Sequence, residues 1–162
     1  MGIAHCRWHG HRLPHVIAYY VVFSVPIGER HHQATFEALT GYMPPEFERF
    51  FQFNSKSGEL DPLSDGPGEI QQPIVFSMPT GSHAMGIYAP PQPALNTTAP
   101  TYGRFRFNAE RVVKWNCVFR VRDQEGIAPG AYPFRMFVLV GDLMTVRESL
   151  RALHLEFGHL SK

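Results

Sequence analysis

The decapeptide Val16–Val25 (VIAYYVVFSV) constrains this chain more than any other stretch. Its residues are almost all β-branched or aromatic, and it stops at Pro26. Such side chains lose χ1 freedom on a helix and pack well on a pleated surface, so the run reads as a mostly buried strand. Similar runs follow. Pro73–Met78 and His83–Tyr88 flank Pro79-Thr80-Gly81-Ser82, a hairpin signal with glycine in the turn. Tyr102–Asn108, Arg111–Arg122 and Tyr132–Val140 read as three more strands; the last is apolar on both faces except at Arg135, which places it in the middle of a sheet. Gln33–Leu39 fits a helix or a strand equally well. Pro44–Phe53 reads as one or two helical turns, Asn54–Gln72 as a long polar loop, and Ala89–Thr101 as a second long loop.

A sustained helical stripe appears at the C-terminal end. Asp142 suits an N-cap, and Leu143, Val146, Leu150 and Leu153 share one face. With strands not interleaved by helices, the expected fold is mainly β: an antiparallel β-sandwich closed by one C-terminal amphipathic helix. The length, 162 residues, fits one domain over 1–162. The direct passage of Trp8–Pro14 into a strong strand also fits the trailing part of a longer protein.

Composition narrows the function classes. Hydrophobic residues at 44% and charged residues at 18% describe a folded chain, and a formal net charge of +1 argues against a nucleic-acid binder. No stretch approaches the roughly 18 apolar residues of a membrane span. Met1–Pro14 lacks the form of a signal peptide, so a cytoplasmic location is expected. That expectation sets aside the glycosylation sequon Asn96-Thr97-Thr98, which matters only in a secreted protein. Cys6 and Cys117 define no disulfide framework and read as buried thiols.

Alternation on the fourth and fifth of these strands suggests a polar surface. Val113, Trp115, Cys117, Phe119 and Val121 point one way, with Lys114, Asn116, Arg120 and Arg122 opposite. On the preceding strand Phe105 and Phe107 share a face, opposite Arg104 and Arg106. Putting both Phe residues with Trp115 and Cys117 requires the loop Ala109-Glu110-Arg111, which opposes Arg106 to Lys114 and Arg104 to Asn116. Like charges directly opposed are unfavourable unless an acidic strand or an oxygen-rich ligand offsets them. Arg104, Arg106, Lys114 and Asn116 are therefore the candidate ligand-binding residues, with His83 and Tyr88 expected as a stacking wall on a nearby strand.

The nine histidines offer a second possibility. His9 and His11 share a face if extended, which suits a divalent metal. Their third ligand is unassigned, with Cys6 and His15 the candidates. Arg30-His31-His32 with Glu37 and a distant His83 departs from a cupin-like set, because adjacent histidines on a strand point to opposite faces. No phosphate loop, dinucleotide fingerprint or nucleophile elbow is present. Apart from such a metal, no cofactor is expected.

The stretch Ile74–Leu153 resembles the trailing half of a galactose-mutarotase-like β-supersandwich domain. The likeness rests on Gly81-Ser82-His83-Ala84-Met85-Gly86-Ile87-Tyr88, on Lys114-Trp115-Asn116-Cys117, and on the closing strand and helix around Phe137-Val138-Leu139-Val140-Gly141. It implies handling of carbohydrate through aromatic, His or Arg side chains on a concave sheet. The mutarotases use a His acid and a Glu base, and no residue here matches that Glu. The resemblance and the residue reading together point to a sugar-binding or accessory domain. A His-ligated metal enzyme is the alternative; a purely structural domain that pairs with itself as a homo-oligomer, or with missing chain, is the third reading.

Overall fold

The computed structural model describes residues 13–92 and 97–158 in full and residues 3–8 by their backbone. The chain is mainly β, with two antiparallel sheets and one C-terminal helix. Its strands are β1 (Ile3–Trp8), β2 (Val16–Val25), β3 (Gln33–Met43), β4 (Arg49–Asn54), β5 (Glu59–Leu63), β6 (Gly68–Ile70), β7 (Ile74–Ser77), β8 (Ala84–Tyr88), β9 (Thr101–Phe107), β10 (Val112–Arg122) and β11 (Gly130–Gly141), followed by helix α1 (Leu143–Phe157). One sheet runs β1-β2-β11-β8-β7-β4-β5 and the other β3-β10-β9-β6.

All six expected strands are present. β2 has the expected bounds, the β7–β8 hairpin turns through residues 79–82 with Gly81 at φ 74°, and β11 lies inside its sheet between β2 and β8. Gln33–Leu39 resolves as strand. Two expectations fail. Pro44–Phe53 forms no helix: Arg49–Asn54 is a strand whose Phe50, Phe51 and Phe53 are all buried, so sheet pairing on both edges overrides the weak helical pattern. Asn54–Gln72 is not one loop, because it supplies β5 and β6, short strands at the outer edge of each sheet. Polar sequence suits edge strands, which are half solvated.

The core fills the space between the sheets. Val21, Phe50, Ile74, Phe76, Phe134 and Met136 from one sheet meet Met43, Tyr102, Val113, Trp115, Cys117 and Phe119 from the other. Trp115 lies over Gly41 on the paired strand, where a Cβ would come within 2.2 Å of the indole. A second apolar layer sits on the far side of the seven-stranded sheet, where Val146, Leu150, Leu153 and Phe157 of α1 cover Phe51, Phe53, Val75, Phe137 and Leu139. Gly86 lets the helix approach, since a Cβ there would stand 3.0 Å from Val146. Asp142 caps α1 as expected, its Oδ1 accepting the Thr145 N–H at 2.7 Å. No helix among the described residues is long and apolar enough to cross a membrane.

Candidate functional site

The β9–β10 hairpin decides where the candidate residues lie, and its register differs from the expected one. Phe107 pairs with Val112, Arg106 with Val113, Phe105 with Lys114, and Arg104 with Trp115. The turn is Asn108–Arg111, closed by the Arg111 N–H donating to the Asn108 carbonyl, with Arg111 at φ 53°. This shift of one residue reverses β9 relative to the core. Arg104 and Arg106 turn inward with Trp115 and Val113, while Phe105 and Phe107 turn outward with Lys114 and Asn116. The four predicted polar residues therefore occupy two opposite faces.

Both arginines have structural partners at the rim between the sheets. Arg104 is buried, its Nε donating to the Ser64 carbonyl at 2.6 Å and its Nη2 to Ser64 Oγ at 2.9 Å. Arg106 reaches Asp65 at 2.9 Å and the Glu48 carbonyl at 2.9 Å, with its guanidinium 5.1 Å from the Phe50 ring centre. Long arginine stems cover apolar surface while their heads reach polar loops, so an inward-facing arginine at the end of a sheet is well accommodated. Tyr102, on the same face, is fully buried and hydrogen-bonds the Ala89 backbone.

The expected stacking wall does not form either. His83 and Tyr88 belong to the seven-stranded sheet. His83 is exposed at the β7–β8 turn beside Ser82, and Tyr88 is buried beneath the helix layer, where burial pushes its phenol up to about 12. His9 and His11 lie outside the described residues. The second histidine set is dispersed: His31 pairs with Glu29 at 2.7 Å, and His32 Nδ1 lies 3.2 Å from the Asp123 carbonyl oxygen. No group of three or more His, Cys, Asp or Glu side chains that could hold a metal occurs among the described residues.

The outer face of the four-stranded sheet does gather a chemically coherent set. Tyr42, Lys114 and Phe105 stand side by side on three neighbouring strands. The Lys114 ammonium lies 5.6 Å from the centre of each ring. Phe107 lies parallel to Phe105 with centres 6.0 Å apart. Tyr42 is 66% exposed and Phe107 38%.

A β-bulge completes this set. Cys117 pairs with Leu39 but Val118 pairs with Glu37, leaving Ala38 as the extra residue. Strict alternation would send Glu37 inward with Leu39 and Gly41; the bulge returns it to the outer face with Thr40 and Tyr42. There Glu37 Oε1 accepts from Thr40 Oγ1 and lies 3.0 Å from Lys114 Nζ. The Thr40 hydrogen bond, then those from Lys114 and Asn116, hold the Glu37 carboxyl below its ordinary value despite partial burial. Asn116 is buried, and its Oδ1 accepts the Gly103 N–H at 2.9 Å. Further along the face Arg120 binds Glu69 at 2.8 Å and Thr101 Oγ1 at 2.7 Å.

Sequence reasoning found Lys114 and Asn116 but missed Tyr42, Thr40, Phe105 and Phe107 as surface residues. Glu37 was noticed only as a ligand type. Alternation within Thr40-Gly41-Tyr42 is legible, yet its opposition to Lys114 depends on a pairing between distant strands. Comparison with known proteins adds no assignment: no protein-family model matches the chain, and no curated protein matches it.

Proposed function

We propose that this domain binds carbohydrate on the outer face of its four-stranded sheet and acts as a binding or accessory module. The observation that carries the reading is the row Tyr42–Lys114–Phe105, two rings flanking an ammonium, backed by a carboxylate already oriented by Thr40. Pyranose rings offer an apolar C–H face to aromatic side chains and a rim of hydroxyls to charged donors and acceptors. Aromatic rings with adjacent polar groups match both requirements. Lys114 supplies donors and Glu37 acceptors, and charge-assisted bonds of this kind are the stronger class. The galactose-mutarotase-like resemblance agrees with this reading but enters only as support.

Calorimetric titration against a saccharide panel tests it. Tyr42→Ala and Phe105→Ala should each weaken binding, whereas Arg106→Ala, whose side chain faces the other way, should bind as the parent does. Absence of saccharide binding, or equal binding by all variants, overturns the proposal. A second reading, a homo-oligomer interface, is favoured by the exposure of Tyr42 and Phe107 on one face. Sedimentation of the parent and Tyr42→Ala chains at rising concentration separates the two readings.

A further inference from the structure

Resting on that reading, we infer that the face takes a neutral oligosaccharide of two or more units laid across the strands, and discriminates against acidic glycans. The first part follows from spacing. Tyr42 and Phe105 lie on strands flanking β10, so their backbones are two interstrand steps apart, about 10 Å. One hexose ring stacked on either aromatic cannot cover the other. A chain of two or more covers both, and its linkage passes over the Lys114 ammonium, which lies at the same distance from each ring centre. Phe107, two residues further along β9 and parallel to Phe105, adds apolar surface at that end of the row.

The second part follows from charge. Lys114 already has Glu37 at 3.0 Å, and Arg120 already has Glu69 at 2.8 Å. These two cations are matched by two carboxylates on the same face; the third cation there, Arg122, is exposed at the far end of β10, eight residues from Lys114. A uronate, sulfate or phosphate arriving there must displace a paired carboxylate or sit beside it, so Coulomb repulsion offsets attraction to the cations. Hydroxyl groups meet no such conflict, since both partners of each pair retain capacity for neutral donors and acceptors. Binding by paired charges should also respond weakly to ionic strength.

The test titrates the full chain with glucose, galactose and mannose oligomers of one to four units and with the matching galacturonate series, at low and high salt. A neutral trimer should bind roughly tenfold tighter than its monomer, the gain expected from a second ring contact. Tyr42→Ala should bring the trimer back to the monomer's level. High salt should leave the neutral affinities within about twofold. Tyr42 is 66% exposed, so an unchanged melting temperature establishes that this variant is folded. Monomer and trimer binding alike, or galacturonates binding tighter with steep salt dependence, overturns this inference while leaving saccharide binding intact. No binding by any member of the panel overturns both.

Discussion

The two sheets treat their outer faces in opposite ways. The seven-stranded sheet turns Phe51, Phe53, Val75, Phe137 and Leu139 outward and hides them under α1. The four-stranded sheet turns Lys114, Asn116, Arg120, Glu37 and Glu69 outward with exposed rings among them, and α1 packs on β8 and β11 instead. An apolar face must be covered and contributes stability through the area removed from water. A face of paired charges and rings contributes little to folding. It is therefore the face on which side chains can be chosen for binding.

Substitutions that separate stability from surface chemistry can break this comparison. The largest effect should come from Leu150→Ala. The side chain is fully buried between helix and sheet, and its truncation should cost about 2–5 kcal/mol in denaturant unfolding. A cost near zero would mean that the helix does not seal the sheet. Next comes Arg104→Ala, which strips the Ser64 carbonyl and hydroxyl of their donors and should cost roughly 1–3 kcal/mol by the same measurement. An unchanged midpoint would return Arg104 to the solvent-facing role that alternation first suggested.

The third test concerns the cap. The Thr145 N–H holds the Asp142 carboxyl below its ordinary value. A depressed carboxyl stabilises the fold above its unfolded-state pKa, and that contribution fades as pH falls through the folded value. Asp142→Ala should therefore lower the melting temperature at neutral pH, with the gap to the parent closing under acid conditions. A constant gap would assign the cap no charged component. The smallest effect should come from Lys114→Ala, which removes a partly exposed ion pair and should change stability by less than about 1 kcal/mol while weakening the proposed saccharide binding. A stability loss matching that of Leu150→Ala would make the open face structural. Cys117 offers an independent check on the interior. It is fully buried, and burial raises its thiol well above the ordinary range, so a thiol reagent should label it only as the chain unfolds.

Local patterns proved legible where one period dominated an element, which it does not in Pro44–Phe53. The inward set of β10, from Val113 to Val121, matches its alternation, and the cap and stripe of α1 follow from four-residue spacing. Of the patterns that involve two elements, the β7–β8 hairpin read through because glycine marks its turn, whereas the register of β9 on β10 did not. Grouping the phenylalanines of β9 with Trp115 minimised exposed aromatic area, but the tertiary fold had two other terms to satisfy. Tyr102 needed the core to meet Ala89, and Arg104 found Ser64 at the rim. Together they hold β9 in the register that leaves Phe105 and Phe107 outside.

What the sequence alone determined was the class of the strongest segments: β-branched runs had to be strands, one apolar stripe had to be a helix on a sheet, and Asp142 had to cap it. Only the tertiary structure decided the pairing of β9 with β10, the edge strands β5 and β6, and the bulge at Ala38 that turns Glu37 toward Lys114. The physical reason is the two-residue period of a strand. A shift of one position exchanges its two faces, and the energies that choose between registers come from neighbours remote in sequence.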